Sequence, residues 1–318
     1  MHRRNRLALI AVTASTAIIA PVMPAAADTG PGPSSRSGVP EPHPRAGTAH
    51  GAAAYAADVT NVAHRGASAY APENTIAAFK LAVSQRADVF ELDVQESKDH
   101  KLVIMHDTTL ARTTNVEQLY PGRGPWKVSD FTLAEIRKLD AGSWFGKKYK
   151  GERVPTLDQT LSVMRGRGLG LLVEIKSPNL YPGIEKRVAA ALERSPSWLQ
   201  PDPAERRLAV QSFDWESMHR FHSVLPNVPI GLLGTPKTED LPELASYADQ
   251  INPTYRDLTA SFVKQVHASR MDVLTWTVDD SGDMKKAVQL GVDGVITNKP
   301  DVLHRVLTET TAQTRSAA

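Results

Sequence analysis

The sequence predicts an α/β protein built as a closed (β/α)8 barrel, or TIM barrel, with an insertion after the second strand. Short apolar runs alternate with helical patterns along the chain, which is typical of parallel strands joined by helical crossovers. Eight such runs fall within about 250 residues, the usual length of this barrel. The main alternative is an open doubly wound sheet, but no G-x-G-x-x-G motif follows the first run.

The elements follow one another in a regular order. The predicted strands cover residues 59–64, 89–94, 170–176, 208–211, 229–233, 250–252, 273–277 and 294–297. Asn, Asp and Ser can cap the free N–H groups at the start of a helix, and proline fits the first turn. These signals predict helices over 76–84 after Asn74, 183–193 after Pro182, 216–224 after Asp214 and 284–290 after Ser281.

The second crossover is too long for one helix. Residues 108–169 hold about sixty positions, with two Pro/Gly pairs at 121–122 and 124–125. Aromatic residues at 126, 144 and 145 give this segment apolar material of its own. We therefore predict an insertion that lies over one face of the barrel.

The first residues resemble a secretory signal peptide. Arginines at positions 3, 4 and 6 precede an apolar run over 7–19, and alanines at 25–27 offer a cleavage site. A transmembrane anchor is disfavoured, because thirteen helical residues rise about 20 Å against roughly 30 Å of hydrocarbon. We expect a signal peptide at 1–27 and a secreted, extracellular protein; the general and twin-arginine export routes both stay open.

Composition then separates a linker from the barrel. Within residues 28–57, twenty of thirty are Gly, Pro, Ala or Ser. Such a segment cannot build a core, and we predict a flexible linker. The barrel domain is placed at 58–307 and a C-terminal tail at 308–318.

Charge and cysteine content narrow the chemistry. The whole chain carries a formal charge of +2, but loss of residues 1–27 would leave 34 basic and 35 acidic residues, a net charge of −1. That balance gives no argument for a nucleic-acid or anionic-membrane partner. Without cysteine the chain has no disulfide, thiolate metal site or cysteine nucleophile. We expect a small-molecule partner, no nucleic acid and no stable membrane insertion; the oligomeric state stays open.

Acidic residues mark the ends of two predicted strands. Side chains alternate along a strand, so Glu91 and Asp93 share one face, and Glu174 shares a face with Lys176. In a barrel the apolar set faces the helices, so these charges point inward at the catalytic end. Three converging carboxylates call for a divalent cation, and oxygen ligands favour Ca²⁺ or Mg²⁺. The alternative is a salt-bridge network, but Lys176 alone cannot offset three acids.

Two histidines end extended segments beside this cluster. His64 and His106 could exchange protons with a substrate near neutral pH, one as an acid and one as a base. Arg65 and Lys176 add positive charge suited to a phosphate group. An ion pair of Arg65 with Glu73 or Asp107 is the alternative for that arginine.

An ordered series of motifs resembles the glycerophosphodiester phosphodiesterase family. The motifs are AHRGAS at 63–68, PENT at 72–75, ELDV at 91–94, VIMHD at 103–107, RTT at 112–114, VPTL at 154–157, EIK at 174–176, QSF at 211–213 and ITN at 296–298. Together they span nearly the whole predicted domain.

The resemblance implies hydrolysis of glycerophosphodiesters to an alcohol and glycerol 3-phosphate. It implies one divalent cation, with Ca²⁺ favoured and Mg²⁺ the alternative, bound by Glu91, Asp93 and Glu174. His64 and His106 would be the acid–base pair. The positions that would contact phosphate or substrate are Arg65, Lys176, Glu73, Gln211 and Trp276, although barrel packing is the alternative for Trp276.

Two other functions compete with this interpretation. A non-catalytic barrel that only binds phosphodiesters would be expected to lack one of the acid–base or metal residues, and all are present. A phospholipase D-like or phosphoinositide-specific lyase would use similar histidines on an intact lipid. The head-group preference and the identity of the nucleophile, water or the 2-hydroxyl of the substrate, are not decided by the sequence.

Overall fold

A computed structural model describes residues 59–199 and 208–317, with side chains up to residue 312. The predicted signal peptide at 1–27, the linker at 28–57 and the predicted first domain residue, Asp58, lie outside these residues. Among the described helices, none combines the length and the apolar character needed to cross a bilayer.

The barrel strands pair in parallel around a closed ring. The strands of the described part are β1 Thr60–Ala63, β2 Val89–Glu96, β3 Leu102–Ile104, β4 Gly170–Ile175, β5 Leu208–Ser212, β6 Ile230–Leu233, β7 Gln250–Asn252, β8 Asp272–Thr275 and β9 Gly294–Thr297. Setting aside β3, which pairs antiparallel with β2, the eight other described strands are joined in chain order. The strand β1 pairs with both β2 and β9, which closes the barrel and confirms the predicted fold class.

Helices fill most of the connections between strands. In the described residues they are α1 Ile76–Ser84, α2 Val116–Leu119, α3 Leu133–Ile136, α4 Leu157–Met164, α5 Ile184–Glu193, α6 Trp215–Val224, α7 Leu241–Leu244, α8 Ala260–Ala268, α9 Ser281–Gln289 and α10 Pro300–Ala317. Short 3-10 turns lie at Val128–Asp130, Lys147–Tyr149, Pro178–Leu180, Pro196–Trp198, Thr238–Asp240 and Tyr255–Asp257.

Strand alternation produces two separate cores. Phe90, Leu92 and Val94 of β2 face outward and join the large apolar cluster between the strands and the helices. The inner face carries a smaller apolar layer at the amino-terminal half of the barrel, made of Val62, Leu172, Ala209, Leu274 and Ile296. The residues two positions further along these strands therefore face the same interior at its carboxyl-terminal end.

The segment predicted as an insertion contains short helices with an apolar cluster of their own. This cluster joins Val103 and Met105, which precede the segment, to Leu110, Val116, Val128, Phe131, Ile136, Leu139, Ala141 and Val154 within it. The last helix of the segment, α4, packs against α1 and β3 on the outside of the barrel. The antiparallel strand β3, which had only been expected to be extended, leads directly toward His106.

Several predicted details need correction. The cap of α1 is Thr75, whose side chain accepts from the Ala78 N–H, because Asn74 instead bonds Asp93. Helix α9 begins at Ser281 rather than Met284, and its cap is Asp280. The strand β1 ends at Ala63, one residue before His64. Residues 308–317, predicted as a tail, form the second half of α10.

Candidate active site

A polar layer lies above the inner apolar layer at the carboxyl ends of the strands. Each member stands two residues beyond an apolar one on the same strand, so that it points into the same interior. The members are His64, Glu91, Glu174, Gln211, Trp276 and Asn298, with Asp93 two residues beyond Glu91. The structure thus brings residues of β2, β4 and β5, and the residues that directly follow β1, β8 and β9, to one end of the barrel, where catalytic residues of this fold lie.

Three buried carboxylates form the centre of this layer. One oxygen each of Glu91, Asp93 and Glu174 can be chosen so that all lie within 4.8 Å of one another. The parallel register of β2 and β4 pairs Asp93 with Glu174 across the two strands. Lys176 donates to Glu174 Oε1 at 2.7 Å, and its ammonium lies 3.8 Å from Asp93 Oδ1.

Burial and mutual repulsion act on these carboxylates together. Burial, and then the charges of Asp93 and Glu174, raise the pKa of Glu91 well above its usual range. Burial and the charge of Asp93 raise the pKa of Glu174 to about 7, although Lys176 opposes the shift. Glu91 Oε1 and Asp93 Oδ1 are buried and accept no hydrogen bond from the described residues. Two buried oxygens without donors match what a bound cation would require.

The loop after β1 supports the carboxylates from one side. The backbone N–H of Arg65 donates to Glu91 Oε2 at 2.6 Å, and Arg65 holds a left-handed φ of 55° to do so. Gly66, at φ 79°, passes so close to α1 that an added Cβ would lie 2.6 Å from the Ala78 carbonyl carbon. Asn74 donates to Asp93 Oδ2 at 2.7 Å and accepts from the Asp93 N–H at 3.2 Å.

His64 is oriented by an amide. Its Nδ1 lies 2.7 Å from Asn298 Oδ1, and the Asn298 amide nitrogen donates to Asp279 at 2.6 Å. The carboxylate thus fixes the amide so that its oxygen faces His64, which makes Nδ1 the donor and leaves Nε2 for proton transfer. Burial, and then the charge of Arg65, lower the pKa of His64 to about 4. His64 is therefore neutral near pH 7.

His106 is oriented by a carboxylate. Its Nδ1 lies 2.7 Å from Asp107 Oδ1, so Nε2 is again the nitrogen that can exchange a proton. The backbone around His106 is fixed by Gln95 of β2, whose side-chain amide donates to the carbonyls of Met105 and Asp107 at 2.7 Å. A small cavity beside the ring is lined by Glu73, Asn74 and Ala141.

Glu73 belongs to this site, but its carboxylate oxygens accept hydrogen bonds from two arginines. Arg65 donates to Glu73 Oε1 at 2.8 Å, which is the ion pair expected as the alternative for Arg65. Arg112 donates to both Glu73 oxygens at 2.7 and 2.8 Å and also to Asp107. Asp107 thus pairs with Arg112 rather than Arg65.

Gln211 and Trp276 lie on the far side of the same opening. Gln211 is buried and accepts from the Asn252 amide at 2.8 Å. Trp276 donates from its indole to the Asn252 carbonyl at 2.8 Å and packs against the inner apolar layer, so the packing role weighed for it is present. Its ring meets that of Phe213 edge to face at 5.5 Å, and Phe213 is 53% exposed at the rim.

Sequence reasoning assigned no part in the active site to several residues that complete it. Asn298 could have been found, because it stands two residues beyond the inward-facing Ile296. Asp107 and Arg112 lie within motifs that were recognised, but only the folded loop shows that they contact each other. Asn74 was predicted as a helix cap, and nothing in its local sequence indicates that it binds Asp93.

Comparisons with known proteins agree on one family. The family model described as "Glycerophosphoryl diester phosphodiesterase family" matches residues 64–302. A glycerophosphodiester phosphodiesterase of Bacillus subtilis is 38% identical over 262 residues, which is 78% of this chain and 86% of the relative. One from Caldanaerobacter subterraneus subsp. tengcongensis is 39% identical over 246 residues, or 76% and 95%.

Solved structures give the same result. A phosphodiesterase of Oleispira antarctica, in complex with the product sn-glycerol-3-phosphate, superimposes with a TM-score of 0.67 at 30% identity. That match covers 80% of this chain and 99% of the other. The glycerophosphodiester phosphodiesterase of Agrobacterium tumefaciens has a TM-score of 0.64 at 30% identity, and the match covers 78% of this chain and 99% of the other.

Proposed function

The chain belongs to the glycerophosphoryl diester phosphodiesterase family and is a glycerophosphodiester phosphodiesterase, and on that premise we propose a metal-dependent reaction with two histidines as acid and base. The substrate would be a glycerophosphodiester such as glycerophosphocholine, and the products an alcohol and sn-glycerol 3-phosphate. The observation that carries this proposal is the pair of histidines held by different partners beside one buried acidic triad.

The acidic triad fits a single divalent cation. Glu91, Asp93 and Glu174 offer oxygen ligands only, the set that Ca²⁺ and Mg²⁺ prefer. Among the described residues, the contacts link five carboxylates and three basic groups, which carry a net charge of −2 once every carboxylate is ionised and the histidines are neutral. These groups are Glu73, Glu91, Asp93, Asp107, Glu174, Arg65, Arg112 and Lys176. Ca²⁺ is favoured because the extracellular space supplies it to a secreted enzyme. When bound, it would offset the negative charge of a phosphodiester.

Arg65 and Lys176 would bind the phosphate group. Both lie at the opening of the barrel beside the triad, and both are less than one-fifth exposed. Arginine offers a planar fork and lysine a compact charge, so that together they can neutralise the oxygens of a phosphodiester as charge develops.

His64 would act as the general base. At neutral pH its ring carries one proton, on the Nδ1 that faces Asn298, so Nε2 can take a proton from the attacking hydroxyl. That hydroxyl belongs either to water or to the 2-position of the substrate's glycerol; the second route would give a transient cyclic phosphate that water then opens to sn-glycerol 3-phosphate.

His106 would act as the general acid. A carboxylate partner stabilises a positively charged imidazole ring, and Asp107 holds Nδ1 of His106 at 2.7 Å. As the bond between phosphorus and the leaving alcohol oxygen breaks, Nε2 of His106 would give that oxygen its proton.

Product analysis separates this function from hydrolysis or cleavage of an intact lipid. Purified protein with Ca²⁺ is expected to release choline and sn-glycerol 3-phosphate from glycerophosphocholine, and to leave phosphatidylcholine and phosphatidylinositol unchanged. Faster turnover of the intact lipids, or glycerophosphocholine left intact, would overturn the proposal.

We also propose that the enzyme acts outside the cell. The support is the arginine-led apolar run over 7–19 and the alanines at 25–27. The amino-terminal sequence of protein recovered from culture medium is expected to begin at residue 28. Protein that stays in the cytoplasm with its first residues intact would contradict this.

A further inference from the structure

Arg112 donates four hydrogen bonds to two carboxylates of the site. Its Nε and Nη2 donate to the two oxygens of Asp107 at 2.6 and 2.9 Å. Its Nη1 and Nη2 donate to the two oxygens of Glu73 at 2.8 and 2.7 Å. One guanidinium therefore binds two carboxylates, each through two hydrogen bonds.

Both carboxylates are committed to this contact. Hydrogen bonds from Arg112, aided by that from His106, outweigh burial and lower the pKa of Asp107 to about 2. Burial alone would raise the pKa of Glu73, but the hydrogen bonds from Arg112 and the charge of Arg65 lower it. Asp107 and Glu73 are thus both ionised at neutral pH and able to hold the arginine.

Asp107 needs such support because it lies in a loop. It follows β3 by three residues, and its own side chain is 28% exposed. A partly exposed carboxylate on a loop can rotate into solvent at little cost, and His106 would then lose the partner of Nδ1. The Arg112 fork fixes both oxygens of Asp107, which leaves one orientation in which Oδ1 faces His106.

Taken with the proposed function, on which this step rests, we infer that Arg112 is a positioning residue for His106. It acts through Asp107 and is itself anchored by Glu73. Asp107, Arg112 and Glu73 are the charged groups joined to His106 by this network, while His64 is near enough to interact with it through charge.

A lysine could not take this place. The ammonium group is a point donor, whereas two carboxylates with four oxygens require the planar arrangement of a guanidinium. His64 is supported differently, because an amide fixed by Asp279 performs the same task without a charged fork. The two histidines are thus held by separate hydrogen-bond networks, so that, of the two, His106 should feel the loss of Arg112.

The test compares turnover numbers on two substrates. One is glycerophosphocholine, and the other is the glycerophosphodiester of 4-nitrophenol, whose leaving group needs little protonation. We expect Arg112→Gln to lower kcat on the choline ester about 10- to 100-fold with little change in KM. Whatever difference His106→Ala shows between the two substrates, Arg112→Gln should show the same pattern with a smaller amplitude. Arg112→Lys should resemble Arg112→Gln.

A double-mutant cycle then identifies the residue through which Arg112 acts. Arg112→Gln is expected to cost about 10- to 100-fold on glycerophosphocholine in the wild-type background, but no further activity on the same substrate in the His106→Ala background. An equal loss in both backgrounds, or full activity of Arg112→Gln and Arg112→Lys, would overturn the inference. Failure of the proposed function is distinct, since it would appear as wild-type turnover of His106→Ala itself.

A matched control separates positioning from folding. Arg194 also contacts a carboxylate through two bonds, to Asp158 at 2.9 and 3.2 Å, but on the exposed outer surface. Arg194→Gln should keep wild-type kcat on both substrates. If Arg112→Gln does not fold, Arg112→Lys, which keeps the charge, carries the same cycle.

Discussion

The buried ring of His64 predicts a specific loss of stability in acid. Burial, and then the charge of Arg65, lower its pKa to about 4, whereas an unfolded histidine has a pKa near 6.5. The unfolded chain therefore binds this proton more readily than the folded chain. The stability that neutral His64 provides is complete above pH 6.5 and is lost as the pH falls toward 4.

The size of this effect follows from the two pKa values. Between pH 7 and pH 4.5, the protonation of His64 in the unfolded state should remove about 2 kcal/mol of unfolding free energy. For a domain of this length, that corresponds to roughly 4–8 °C in the thermal midpoint. His64→Gln keeps a hydrogen-bonding side chain but cannot titrate, so it should not show this part of the loss.

Urea unfolding at pH 7 and pH 4.5, with the same Ca²⁺ concentration throughout, measures the difference. The wild type should lose about 2 kcal/mol more than His64→Gln between the two pH values. His219, an exposed histidine on α6, supplies the control His219→Gln, which should behave as the wild type. Equal losses in the wild type and His64→Gln would refute the argument from burial.

The acid limb of kcat/KM should likewise lie nearer pH 4 than pH 6.5, because the base must be unprotonated.

Three further predictions concern the metal, the acid and the loop. Glu91→Gln and Glu174→Gln should each weaken Ca²⁺ binding in calorimetry and slow turnover, and full activity after exhaustive chelation would exclude a metal role. His106→Ala should lower kcat on glycerophosphocholine by roughly 10²–10⁴, and wild-type kcat would show that this histidine is structural. Gly66→Ala should destabilise the fold by about 2–4 kcal/mol in urea unfolding, since its Cβ would meet α1 at a positive φ; an unchanged midpoint would show that the loop can move.

The strand-based part of the site could be predicted because alternation along a strand is a local property. Once β2 and β4 are recognised, Glu91, Asp93 and Glu174 must face one interior, and the structure places their oxygens within 4.8 Å. The same rule extends to Gln211 on β5. The barrel itself follows from eight such strands in order, and its closure is seen in the pairing of β1 with β9.

Helix starts were less predictable because neighbouring residues can both act as caps. Asn74 and Thr75 are both good capping residues, and so are Asp280 and Ser281. The choice at the first pair depends on Asp93, nineteen residues away, which takes the Asn74 side chain. Local capping propensity carries no information about that distant contact, so the sequence alone predicted the wrong residue as the cap.

The loop network was beyond sequence reasoning for a similar reason. Glu73 and Arg112 are thirty-nine residues apart, and the chain between them includes two strands and a helix. Their contact depends on how the loops after β1 and β3 are folded, for which neither a period of two nor one of 3.6 gives information. Motif recognition marked both residues without showing what they touch.

Charges of alternating sign connect the acid side of the site to the metal side. The order is His106, Asp107, Arg112, Glu73, Arg65, Asp93, Lys176 and Glu174, joined by contacts of 2.6–3.8 Å. Each basic group lies between two carboxylates, so removal of any one takes a positively charged partner from two negative groups at once. His64 lies outside this series, because Asn298 and Asp279 hold it. The proposed acid and the metal ligands therefore share one series of ion pairs, while separate hydrogen bonds hold the proposed base, which meets that series only through charge.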